Sequence, residues 1–107
     1  MTSDSQPTLR LLHAPDSSTV EMLYRTFGDL LIPLEELRVR YFRNLNATTF
    51  AADIDAGRVP LPLITLKDSR KSNKYVHVRH LAAWIDIRTY KADEELASKQ
   101  TVDTQED

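Results

Sequence analysis

Four cations crowd into the stretch LITLKDSRKSNKYVHV at 63–78: Lys67, Arg70, Lys71 and Lys74. Lysine and arginine at this density offer charge-assisted hydrogen bonds to phosphate oxygens, so their chemistry is neutralisation of a polyanion rather than bond making. The runs on either side, Leu63 to Leu66 and Tyr75 to Val78, are β-branched or aromatic and too short for stable helices. Asp68, Ser69, Ser72 and Asn73 between them favour a turn. A β-hairpin with a basic tip is therefore predicted. A solvated tip that merely blocks edge pairing is the alternative for such a loop taken alone.

A second polar group lies upstream. Asn46 stands where it can cap a helix in which Ala47, Phe50, Ala51 and Ile54 recur at i, i+3, i+4 and i+7, which leaves Thr48 and Thr49 on the outer face of the first turn. There the two hydroxyls and the unpaired N–H groups of the helix start can meet base edges or phosphates; capping and ordinary surface roles are the alternative. Arg43 and Arg58 flank the same helix as further phosphate contacts. Asp53 and Asp55 face outward towards its far end, where they repel phosphate.

Other chemistries find little support. His77 and His80 are three apart, but without cysteine or a well-spaced acidic partner a packing role between hairpin and helix is the better reading. Asp53, Asp55 and Asp86 form no persuasive catalytic pair, two glycines cannot build a phosphate-cradling loop, and no nucleophile stands in a recognisable setting. No enzyme activity, no metal and no cofactor are expected. The absence of cysteine also excludes a disulfide framework. With no leader-like N-terminus and no apolar run near the roughly 18 residues that span a bilayer, a cytoplasmic protein without membrane attachment is expected.

The elements that must position these groups can be read from periodicity. Ser18 and Glu21 have capping-box spacing ahead of Val20, Leu23, Tyr24 and Phe27, and Gly28 supplies a stop. LLIP is a short extended segment, because the residue before Pro33 is pushed out of helical geometry. Leu34, Leu37 and Tyr41 then mark a second helix, with Glu35 and Glu36 at its positive end. The third helix ends at Gly57, and Pro60 and Pro62 forbid a restart. Val78, Leu81, Ala82 and Ile85 open a fourth helix running to about Leu96.

Two short helices joined by a tight turn and followed by a hairpin describe a mainly α fold with a small β-hairpin, a winged helix-turn-helix with an excisionase- or MerR-like layout. The 107 residues divide into a disordered arm at 1–18, this domain at 19–92, and a helix end with an acidic tail at 93–107. Net charges of −1, +4 and −5 for the three segments show that the acidic tail masks a basic body. Double-stranded DNA is the expected partner, bound as a homodimer or higher assembly because one small module has limited contact area.

IPLE at 32–35, YF at 41–42, AGRVPLPLITL at 56–66, SRKS at 69–72 and VHVRHLAAWID at 76–86 resemble the pyocin activator protein family, over roughly residues 20–90. The resemblance implies a sequence-specific DNA-binding transcriptional activator of bacteriocin or prophage-type genes, with RNA polymerase as a further candidate partner. NATTFAADIDAG is more acidic than the family's third helix, and the tail after Asp93 lies outside the shared pattern. An excisionase-like architectural protein that bends DNA, and an adaptor that uses the same scaffold to bind protein, remain the alternatives.

Overall fold

The computed structural model describes residues 14–68 and 72–106, with side chains described as far as Gln100. Their order is α1 (Ser17–Phe27), β1 (Leu31–Pro33), α2 (Leu34–Tyr41), α3 (Ala47–Asp55), β2 (Tyr75–His77) and α4 (Val78–Glu106). The fold is mainly helical: four helices and a two-stranded antiparallel sheet.

Helix α1 starts one residue ahead of the expected cap. Asp16, in extended backbone, accepts from the Ser18 N–H and hydroxyl at 3.2 Å each, so the Ser18–Glu21 capping box does not form. Glu21 pairs with Arg25 one turn on instead. Carboxylate caps serve as well as hydroxyl caps, and here the backbone N–H of the capping residue also makes a tie to α4. Asp86 of α4 accepts from the Asp16 N–H and from the Thr19 hydroxyl, both at 2.8 Å, so the start of α1 is fixed to the helix it packs against. Gly28, at φ +77°, ends α1 in the left-handed region, and its N–H reaches the Tyr24 carbonyl at 2.7 Å.

The sheet departs from the expected hairpin. Strand β2 pairs with β1, in the register Leu31↔His77, Ile32↔Val76 and Pro33↔Tyr75. The run Leu63 to Leu66 contributes only a bridge at Ile64, whose N–H and carbonyl exchange bonds with Tyr75 at 2.8 and 2.9 Å. The next hydrogen-bonded pair towards the body would set Pro62 against His77, and proline has no N–H to donate, so the ladder stops. Pro33 is harmless in β1: the bonds from Leu34 to Lys74 and from Val78 to Leu30 place it between bonded pairs, where its missing N–H faces away from β2. The pairing chosen also buries Ile32 and Val76 completely.

One core unites the elements. Leu23, Ile32, Leu37, Phe50, Ile54, Val59, Leu61, Val76, Val78, Leu81 and Ala82 are buried together, and Phe42 stacks on Phe50 at 4.7 Å between ring centroids. Helix α4 continues past Leu96 to Glu106, because Ala92, Glu94, Glu95, Leu96, Ala97, Lys99 and Gln100 are strong helix formers without a breaker among them. The acidic segment that follows Ala92 thus begins inside a helix.

Candidate nucleic-acid interface

Helix α3 begins as the sequence predicts. The Asn46 side chain accepts the Thr49 N–H at 2.8 Å, and its backbone carbonyl accepts from Phe50 at 2.9 Å. Among the described residues no acceptor takes the N–H of Ala47 or Thr48. The α3 start therefore presents two backbone donors, the two threonine hydroxyls and the Asn46 amide, all exposed, at the positive end of the helix dipole.

The turn before α3 is held by a residue that sequence reading missed. Arg38 is partly buried, and all three guanidinium nitrogens are engaged: Nε and one terminal nitrogen grip the Glu35 carboxylate, and the other donates to the Leu45 carbonyl at 2.8 Å. The guanidinium holds the Glu35 carboxyl below the ordinary glutamate value, and the carboxylate raises Arg38 in turn. This clamp fixes α3 relative to α2. The i, i+3 spacing of Glu35 and Arg38 was visible in the sequence; the reach to Leu45 was not.

The basic loop returns beside this helix start. The Ser72 hydroxyl donates to the Lys67 carbonyl at 2.6 Å and closes the loop across its base, while the Lys74 carbonyl accepts the N–H of Leu34, the first residue of α2, at 3.0 Å. Consequently Ser72, Asn73 and Lys74 share one groove of about 510 Å³ with Pro33, Leu34 and Ala47. Lys67 and Lys74 are exposed; Arg70 and Lys71 lie outside the described residues.

The remaining candidates are placed differently. Arg43 is exposed in the turn between α2 and α3 and meets no described acceptor, outside the groove lining. Arg58 lies beyond the opposite end of α3, where it pairs with Asp53 at 3.3 Å. That contact neutralises one of the two acids that would oppose phosphate and leaves Asp55 exposed. The His77 and His80 rings stand 5.8 Å apart, and Nδ1 of His77 accepts the Arg79 N–H at 3.0 Å, so His77 serves the start of α4.

A family model described as pyocin activator protein PrtN matches residues 19–92, a segment that contains the whole groove, its flanking arginines and the basic loop. The chain belongs to the PrtN family. PrtN proteins are transcription activators, not enzymes, and membership implies an activator of pyocin genes. Comparisons with curated proteins and with solved structures return no match. No helix among the described residues is long and apolar enough to cross a membrane.

Proposed function

We propose that this PrtN-family chain is a winged helix-turn-helix regulator that binds duplex DNA in a sequence-specific way and activates bacteriocin or prophage-type genes. The observation that carries the reading is the shared groove: Ala47 at the start of α3 and Ser72 to Lys74 of the basic loop line one surface. A single duplex can meet both. The start of α3 then enters the major groove, with Asn46, Thr48 and Thr49 at base edges or phosphates. Lys67, Arg70, Lys71 and Lys74 form the wing, which neutralises flanking phosphate or enters the minor groove, and Arg43 takes a phosphate beside the turn. Arg58 holds Asp53 and adds positive charge at the far end of the helix.

Element order supports the winged assignment. Strand β1 falls between α1 and α2, the Ile64 bridge follows α3, and β2 lies between both partners. A homodimer on DNA supplies the contact area that one 12.3 kDa chain lacks.

Binding to a duplex that carries the target promoter, measured across salt concentrations, tests the proposal. Log affinity should fall with log salt at about 0.9 per neutralised phosphate, and the double variant Lys71→Ala, Lys74→Ala should flatten the slope by up to about 2. Absence of binding at low salt overturns it in favour of the protein-binding adaptor. Binding that bends DNA without activating a reporter indicates the architectural, excisionase-like role instead.

A further inference from the structure

We propose that α4 is a self-association seam: two copies of the chain pair their α4 helices antiparallel about a two-fold axis near Ala92. Each Leu96 then seats in the second copy's groove between α4 and the end of α2. Helix α4 spans 29 residues, about 43 Å, yet among its described side chains the last buried are Leu81 and Ala82, and from Ile87 to Gln100 every residue is exposed.

A groove of about 410 Å³ lies where α4 leaves the body, walled by Tyr41 and Phe42 on one side and by Trp84, Ile85, Thr89 and Ala92 of α4 on the other. The α4 wall continues beyond the body as a stripe. Ile85, Thr89, Ala92 and Leu96 step by four, three and four residues, the 3.5-residue period that keeps one face turned to a partner helix. Thr89 and Ala92 are small and let two backbones approach at the centre, while Leu96 is left 55 % exposed.

Charge selects both the occupant and its direction. Before Ala92 the helix carries Arg79, Arg88 and Lys91 against Asp86, whose carboxylate is already committed to α1; from Asp93 to Gln100 it carries Asp93, Glu94 and Glu95 against Lys99. With the axis at Ala92, Arg88 lies beside Glu95 and Leu96 of the second copy, on the same flank of the seam. Parallel pairing would stack the three carboxylates of each copy on those of the other. A second copy of α4 thus matches this face in period, apolar character and charge. The seam does not depend on DNA binding; where both hold, two reading faces related by a two-fold axis meet an inverted-repeat target.

The chain contains no cysteine, so one introduced thiol reports its own neighbour. A disulfide needs Cα atoms within about 7 Å. In the full-length chain without DNA, Ala92→Cys should form a disulfide-linked dimer under mild oxidation. Lys99→Cys should form none, because antiparallel helices set the two positions roughly 20 Å apart. Sedimentation equilibrium should show association of the unmodified chain. Arg88→Glu should weaken that association roughly tenfold, and adding Glu95→Arg should restore it. A monomer at all concentrations, or linkage at Lys99→Cys, overturns the proposal. If salt-dependent DNA binding persists in that case, only the seam falls and the DNA reading stands.

Discussion

Helix α3 and the basic loop line the same groove with opposite kinds of support. The helix start is anchored from behind: Phe50 and Ile54 are buried, Asn46 caps it, and Arg38 pins the preceding turn. It presents almost no formal charge. The loop presents four cations, and its described part is fastened by the Ser72 hydroxyl and by backbone bonds of Ile64, Lys74 and Tyr75 at its base. Geometry fixed to about 0.5 Å suits the reading of base edges, whereas phosphate, whose field is broad and carries no sequence, makes no such demand on a cation. On the proposed DNA-binding reading, the fold separates discrimination from affinity.

The largest expected effect comes from attacking the anchor. Phe50→Ala should cost about 3–5 kcal/mol of stability, measured by chemical denaturation, because a fully buried ring stacked on Phe42 leaves a cavity. Lys67→Ala with Lys74→Ala should change stability by less than about 0.5 kcal/mol, since both side chains are exposed. If the two losses were equal, the contrast between helix and loop would disappear.

A smaller effect sharpens it. Asn46→Ala should lower stability by about 1 kcal/mol by leaving the Thr49 N–H without its acceptor, and Asn46→Ser should recover most of that loss in the same melt. The smallest effect concerns the clamp on the turn. The folded value of Glu35 lies below its unfolded value because Arg38 donates to it. Its contribution is therefore complete above the unfolded value and is lost as pH falls through the folded value. Glu35→Gln should flatten this acid limb of a melting-temperature profile while leaving the neutral-to-alkaline limb unchanged.

Helices were legible wherever apolar residues kept a 3.6-residue period between capping signals. Asn46 to Gly57 shows this best, since the Asn46 cap and the glycine at φ +80° frame α3 as anticipated. The strand pairing was not legible. Two three-residue strands carry no register information of their own, and the choice of β1 over the Leu63–Leu66 run depends on Ile32 and Val76 meeting in the core, a contact 44 positions apart in sequence. Proline chemistry at Pro62 could have limited the hairpin expectation, because a ladder needs a donor at every second residue. Among the site residues, those at the α3 start were placed by local signals. Arg38 escaped notice because its decisive bond joins a side chain to a backbone carbonyl seven residues on.

Strand β2 ends at His77 and α4 begins at Val78, so no linker residue stands between them, and the His77 imidazole further stitches the junction by accepting the Arg79 N–H. A rod rooted directly in the base of the basic loop cannot swivel independently of it. Whatever tilts the loop on a bound surface must swing the distant tip of that rod through a proportionate arc, as a crank turns with its handle.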